Sequence, residues 1–364
     1  MLQDEEGNYN KSDTLPSMGY TLNALKSVCS NNTTPTWEDN KLYLNNLTRN
    51  GTSCYLYFDI KPLAMNTILA NSTVHEGTPD FSQVATTDEG MYKVEDDLGM
   101  SYYFRGAVEN NYVKFAGYWW RIVRINGNGS IRLIYDGTSA HANGESSTDR
   151  QIGTNDYNNS ANASYYVGYT YQVDAQRPST QNGGTASTIK GVLDSWYSNN
   201  LQTYDSQIVN SPGFCNDRDL QNGSWVVNGS EFYYSSFERL YTNKQPTFEC
   251  ENDSDLYTTS GSSNGNKALQ YPIGLISMDE MSFAGEVSEI TNSTSYLQTT
   301  LSYWTMTPST MAFDGARMYI SKTNNSVSTA RTSAVHGVRP VINLKADVRL
   351  TGTGTSTDHP YKLA

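Results

Sequence analysis

The chain has 364 residues, long for one ordinary domain and comfortable for two. Its hydrophobic share of 37% and charged share of 17% are both low; Asn, Ser, Thr, Gly and 27 Tyr fill the gap. So much aromatic area argues against disorder. The net charge of −12 argues against nucleic-acid or anionic-lipid binding through clustered Lys and Arg, and no stretch of about 20 apolar residues is present to span a membrane as a helix.

Residues 1–15 are polar and read as a mobile segment. Met1 to Glu6 is no signal peptide, so an exported form would draw its signal or anchor from outside this sequence. Short strands follow at Leu22 to Val28, Lys41 to Asn45 and Ser53 to Phe58, and residues 1–60 are expected to form a small all-β module. A unit that size buries little, so a disulfide suits it. Four cysteines allow three connectivities. The simplest joins sequence neighbours, Cys29 with Cys54 and Cys215 with Cys250; free buried thiols are the alternative.

Pro62 to Ala70 suggests a short helix, and residues 61–100 otherwise read as a linker or extended segment, acidic and without period. A strand from Ser101 to Gly106 opens the larger domain, 101–350. Trp119, Trp120, Ile122, Val123 and Ile125 then make one strand-like run and Ile131, Leu133, Ile134 and Tyr135 a second. Asn126-Gly127-Asn128-Gly129 between them is a strong hairpin signal, because Asn and Gly tolerate positive φ. Two adjacent Trp do not both face water cheaply, so this ribbon is expected in a core.

Thr138 to Thr188 is a long polar run, of the kind that is functional or mobile when it occurs in a compact domain. A helix is expected from Ile189 to Leu201: Ile189, Val192, Leu193, Trp196 and Tyr197 share one face, and Ser187 or Thr188 caps it. Phe214 to Cys250 reads as a loop-rich excursion. Tyr271 to Ile276 reads as a buried strand, Asp279 to Ala284 as a short helix capped by Ser277, and Ser302 to Pro308, Arg317 to Ser321 and Val335 to Leu344 as closing strands. Residues 351–364 form a turn-rich tail that can return to pair once more.

Five landmarks in this order carry a resemblance: Trp120 to Val123, Ile189 to Leu201, Leu275 to Glu280, Trp304 to Pro308, and Gly337 to Leu344. The chain resembles a family of uncharacterised extracellular domains of Gram-positive bacteria. Those domains look like remote relatives of the C-type-lectin-like fold of formylglycine-generating enzymes and of variable receptor-binding proteins. The likeness covers roughly residues 100–350. It implies an α+β fold, a twisted antiparallel sheet with few helices and long loops, preceded by the small β-module. Fold alone does not fix function. The N-terminal part is similar to an extension that in such proteins follows a membrane-anchoring or pilin-like helix.

The chemistry-bearing residues are sparse. His75, His141, His336 and His359 are scattered without ligand spacing. The cysteines match no catalytic motif, so no catalytic residue is carried over and no enzyme is expected. Glu95-Asp96-Asp97 and the pair Asp253 and Asp255 are acidic loops that read as solvated; calcium is the one cofactor they would admit. Trp119, Trp120, Trp196, Trp304 and Arg339 are assigned to the core, Arg339 pairing with a carboxylate or carbonyls to fix the last strand.

Tyr157, Tyr165, Tyr166, Tyr169 and Tyr171 crowd one polar stretch and Tyr233 and Tyr234 another. Tyr amid Asn, Ser and Gly is the composition of adaptable recognition loops, and these seven are the candidate ligand-binding residues. The expectation is a secreted or cell-surface, adhesin-like protein whose partner is a glycan or a host or neighbouring-cell protein. The rivals are the head of a pilin-like, self-associating filament subunit and a carbohydrate-active or lectin-fold enzyme.

Overall fold

The computed structural model describes residues 1–364 apart from 17–18, 39–40, 179–182, 210, 223–224, 226–230 and 356–357. Part of the Thr138 to Thr188 stretch and part of the Phe214 to Cys250 excursion thus lie outside the described residues.

The molecule is mostly sheet with few helices. The Trp ribbon forms as its sequence indicates. Strands Tyr118–Ile125 and Ile131–Gly137 pair antiparallel, with Ile125 opposite Ile131 and Ile122 opposite Leu133. Gly129, at φ 82°, donates its N–H to Asn126 O and closes the turn. Trp119 and Trp120 are both buried, and Trp120 Nε1 donates to Phe115 O at 3.1 Å.

This ribbon centres an eight-stranded sheet. Its path runs Val341–Leu344, Ile131–Gly137, Tyr118–Ile125, Tyr112–Phe115, Tyr361–Leu363, Leu350–Thr351. Gly99–Gly106 also pairs with Tyr118–Ile125 and carries Asp88–Asp96 on its other side. A six-stranded sheet lies beside it, built on Tyr303–Ala312, Gly315–Ser321 and Val327–Arg331.

Helix Thr188–Asn200 begins where expected, with Ser187 Oγ accepting from Lys190 N. Its Ile189, Leu193 and Tyr197 are buried, while half-buried Trp196 meets Tyr118, Trp120 and Tyr135 at centroid distances of 5.5, 6.3 and 5.6 Å. Helix Met278–Phe283 starts with a capping box between Ser277 and Glu280, which satisfies two otherwise orphaned N–H groups.

Four expectations need correction. Residues 61–100 are no linker: Asp88–Asp96 is a nine-residue strand, Val74 bridges Met91, and helix Ala64–Ala70 buries Ala64 and Ile68. The strand carries no apolar alternation in its sequence, because only Met91 and Asp96 within it are buried. Residues 1–15 are tied into the fold rather than free. Leu2–Gln3 pairs with Tyr9–Asn10 and with Phe58–Ile60, and the terminal amine donates to Leu56 O at 2.8 Å. Tyr271 to Ile276 buries Ile273, Leu275 and Ile276 but forms only one bridge, Gly274 to Val341, since its apolar run serves packing rather than a ladder. Val335 to Leu344 is two strands, Val335–Gly337 and Val341–Leu344, because Pro340 has no N–H to give the sheet. The tail does return: Tyr361–Leu363 runs parallel to Tyr112–Phe115.

Both expected disulfides form, Cys29–Cys54 and Cys215–Cys250. Among the described residues no helix is long and apolar enough to cross a membrane.

Buried arginines hold the body together. Asp136, fully buried, takes Arg150 at 2.7 Å and Arg339 at 3.0 Å. Arg339 also donates to the carbonyls of Tyr135 and Leu297, joining the last strand to the ribbon and to the second sheet's approach. A buried charge survives only when so matched.

Candidate functional site

The seven tyrosines divide by environment. Tyr157, Tyr169 and Tyr234 are fully buried and are corrected to core residues. Tyr157 stands edge-on to Trp304 at 5.7 Å, Tyr169 OH donates to Ile273 O, and Tyr234 OH donates to Ser164 O at 3.1 Å. Large rings set in polar sequence still bury themselves when the loop carrying them folds back over a sheet. Tyr165 is 9% exposed. Its ring lies 4.6 Å from Tyr166 and 5.8 Å, stacked, from Tyr171, so this trio spends much of its aromatic surface on itself. Tyr166 and Tyr171 remain half-buried.

Tyr233 keeps a surface role, with partners the sequence reading did not name. Tyr233 ends the short strand Phe232–Tyr233, and Phe237 and Tyr241 follow on the helical turns Ser235–Phe237 and Glu238–Thr242, where rings four residues apart share a face. Tyr233 and Phe237 lie 4.3 Å apart, Phe237 and Tyr241 4.9 Å. Lys244 Nζ stands 5.2 Å from the Tyr241 ring. Phe313, at the tip joining Tyr303–Ala312 to Gly315–Ser321, is 95% exposed, and its N–H donates to Glu231, two residues before Tyr233. Tyr233 itself pairs with Thr310 of the strand leading to that tip. The result is an aromatic surface, exposed at Tyr233, Tyr241 and Phe313.

A second feature had no sequence signal. A narrow cleft with an inner volume of about 40 Å³, open to solvent at its mouth, lies between the Asp96–Leu98 turn, the ribbon, the Pro212–Asp217 loop, the Thr247–Cys250 loop and the start of helix Met278–Phe283. The Cys215–Cys250 disulfide forms part of its wall by tying two of these loops. Glu280, already spent on its capping box, also takes Arg124 at 3.3 Å and Arg132. Asp96 accepts from Arg124 at 2.8 Å and from Gly127 N. Arg239 bridges Asp217 and Asp279 at 2.5 and 2.9 Å. The Arg124 guanidinium lies 4.2 Å from the Phe248 ring centroid.

Two carboxylates here titrate abnormally. Burial pushes Asp217 up to about 6 against the pull of Arg239, and its backbone sits at φ 47°, a left-handed conformation rare for Asp. Asp97 is raised too, by lost hydration first and by Asp96 and Asp253 beside it. Its Oδ2 accepts from Cys250 N at 2.9 Å.

Of the acidic residues considered for calcium, Glu95, Asp97 and Asp253 are exposed as expected, whereas Asp96 and Asp255 are buried. Asp96 is buried on Arg124, and Asp255 is fully buried on Arg218 and also takes Arg177. Guanidiniums occupy the oxygens a hard cation would need. Among the described residues no group of three or more His, Cys, Asp or Glu is arranged to hold a metal ion.

His336 buttresses Trp304 edge-on at 4.7 Å and meets Ser302 Oγ at 2.8 Å. His141 is clasped between Glu145 at 3.0 Å and Asp149 at 2.8 Å, pinning the loop after the ribbon. Burial would raise Asp149, but hydrogen bonds from Ser147, Thr138 and His141 hold it well below the usual carboxylate range.

Compared with known proteins, the chain matches no family model, no curated protein and no solved structure.

Proposed function

We propose that this is an extracellular or cell-surface binding protein, adhesin-like, which recognises a glycan or a protein on a host or neighbouring cell without catalysis. In this reading the body is a C-type-lectin-like domain of the Gram-positive kind and the N-terminal module is its base. The observation that carries the reading is the exposed aromatic surface of Tyr233, Tyr241 and Phe313, with half-buried Phe237 packed between the two tyrosines. Aromatic side chains left in water on polar loops are costly unless a ligand covers them, and Tyr brings contact area at low entropy cost. The two disulfides support an oxidising, exported setting. A catalytic reading would need carboxylates free to exchange protons across a substrate, whereas in the cleft most are occupied by Arg124, Arg132 and Arg239.

The pilin-like alternative draws on a different patch. In the N-terminal module Val28 and Tyr55 are direct cross-strand partners, and both are exposed, as is Leu25. Such a face suits packing between copies.

One experiment separates the readings. The protein and its Tyr233→Ala/Tyr241→Ala/Phe313→Ala variant are screened on a glycan array and on bacterial and host cell surfaces, with sedimentation equilibrium in parallel. Recognition predicts binding that drops at least tenfold in the variant, a monomer throughout, and a melting temperature nearly unchanged, since exposed substitutions cost within about 0.5 kcal/mol each. Binding indifferent to all three rings would sink the aromatic surface as the site. Concentration-dependent self-association abolished by Leu25→Glu/Tyr55→Glu would favour the filament subunit instead.

A further inference from the structure

The chain carries eight Asn-Gly pairs. In this dipeptide the side-chain amide is open to attack by the next backbone nitrogen, because Gly has no side chain to hinder the approach. Asn182-Gly183, Asn222-Gly223 and Asn228-Gly229 include residues outside those described. The other five differ in how they are held. Asn126 Nδ2 donates to Ser130 O, Ser130 Oγ and Asn343 Oδ1, and Gly127 N donates to Asp96 Oδ2 at 2.9 Å. Asn128 Oδ1 accepts from Ser130 N and, at 2.6 Å, from Ser130 Oγ, while Gly129 N donates to Asn126 O at 2.8 Å. Asn143 is fixed at both ends of its amide, Oδ1 by Arg121 at 2.9 Å and Nδ2 by Val108 O at 3.1 Å. Asn264 Oδ1 accepts from Ser262 Oγ at 2.7 Å.

Asn50 has no such restraint. Its side chain makes no hydrogen bond among the described residues. It stands on the loop that leaves strand Lys41–Asn45, where every residue from 45 to 51 is exposed. Exposed tips of this kind are where a chain is most open to chemical change. Gly51 sits at φ 78°, and nothing lies within 4 Å of where a Cβ would stand, so the Asn50 amide has room to swing toward the Gly51 nitrogen. That nitrogen is weakly held, its N–H making only a long contact of 3.3 Å to Thr48 O.

We propose that Asn50 is a site of spontaneous covalent modification, with water as its co-reactant. The Gly51 nitrogen gives its proton to solvent base and bonds to Asn50 Cγ. The Cγ–Nδ2 bond breaks, and Nδ2 takes a proton from water and leaves as ammonia. The cyclic imide so formed then adds water. Opening at Cγ yields aspartate; opening at the main-chain carbonyl carbon yields isoaspartate, in which the backbone runs through the former side chain. The sum is water taken up and ammonia released, with no change of oxidation state. Either product adds a negative charge to the N-terminal module. Isoaspartate also lengthens the backbone just ahead of Gly51, whose carbonyl is clasped by Asn31 Nδ2 at 2.7 Å, and so loosens the loop that leads into the Cys29–Cys54 tie. The assignment does not depend on the aromatic surface or on its ligand.

The test is ageing of the full chain in mildly alkaline buffer, read by peptide mapping in a mass spectrometer and by isoaspartate-specific methyl transfer. Residue 50 is expected to convert roughly tenfold faster, or more, than Asn126, Asn128, Asn143 and Asn264, since each of those must first break a hydrogen bond. Its rate should climb with pH, because the attacking nitrogen has to shed its proton. In urea all five should convert at similar rates, as unfolding removes the bonds that restrain four of them. Protease should cut the aged chain more readily within residues 46–53, and should cut Asn50→Gln, aged alongside, no faster than the fresh protein. Any of the four restrained asparagines converting as fast as Asn50 in the folded chain overturns the proposal. So does an Asn50 that stays intact in the folded chain while the unfolded chain reacts. Unchanged cutting of a chain already converted at residue 50 overturns the loosening of the loop.

Discussion

Residues 1–60 and the body that follows hold together by different means. The module has short strands, one disulfide and an open surface: Leu25 is 97%, Val28 62% and Tyr55 76% exposed. Among the described residues its buried apolar side chains are Pro16 and Phe58, the latter packed edge-on to Trp37 at 4.9 Å. The body carries a continuous apolar core threaded by fully buried Arg105, Arg121, Arg150, Arg218 and Arg339. Size explains the contrast. A small unit lacks the volume to keep charged groups from water, so it relies on a covalent tie; a large one can enclose ions if each meets its partners. The module also leans on its neighbour, since Leu63 bridges Arg349, Arg349 reaches Lys61 O and Glu5, and Gly19 N donates to Ala364 O.

The largest effect should come from the body. Asp136→Ala strands two buried guanidiniums and is expected to cost about 3–5 kcal/mol in urea unfolding. A loss under about 1 kcal/mol would show that the body, like the module, does not depend on its buried ions.

Next comes Cys29→Ser/Cys54→Ser. Removing the tie across this loop, a sequence separation of 25 residues, should destabilise the module by about 3–4 kcal/mol in the chain-entropy model. Limited proteolysis should then cut within residues 1–60 while the body's melting transition stays put. A body that melts earlier by the same amount would mean that the two regions unfold as one.

Smaller by a margin is a pH effect confined to the body. Glu286 is buried, and loss of hydration raises it from its ordinary value of 4.5 to about 7 despite hydrogen bonds from Ser295 and Gln298. Below pH 4.5 both states hold the proton and stability is full. As pH rises toward 7 the unfolded chain ionises first, and stability falls by on the order of 3 kcal/mol at most. Glu286→Gln should flatten that slope in denaturant titrations between pH 4.5 and 7. An identical slope in the variant would place the buried proton elsewhere.

The legible parts of this protein were those decided within a few residues. Asn126 to Gly129 announced its turn, the stripe from Ile189 to Tyr197 its helix, and Ser277 its cap, with Glu280 completing the box. The pairs Cys29–Cys54 and Cys215–Cys250 followed from proximity along the chain. Asp88–Asp96 was hidden because pairing with Gly99–Gly106, not apolar alternation, makes it a strand. The tyrosines were half legible. Their number was plain, but Tyr233 and Tyr234 are neighbours in sequence and opposite in fate, one 45% exposed and the other buried, because successive residues of extended backbone, here a strand end and the helix cap after it, point to opposite sides.

Sequence by itself therefore determined the hairpin, the two capped helices and the predominance of sheet, which rest on local conformational preference, and made the two local disulfides the simplest pairing without fixing it. Only the tertiary structure decided which rings meet water and which acids meet arginines. Arg124 finds Glu280 from 156 residues away, and Arg339 finds Asp136 from 203. Such long-range pairing leaves no local pattern, because each partner's neighbours in sequence look like ordinary polar loop until the sheet brings the charges together.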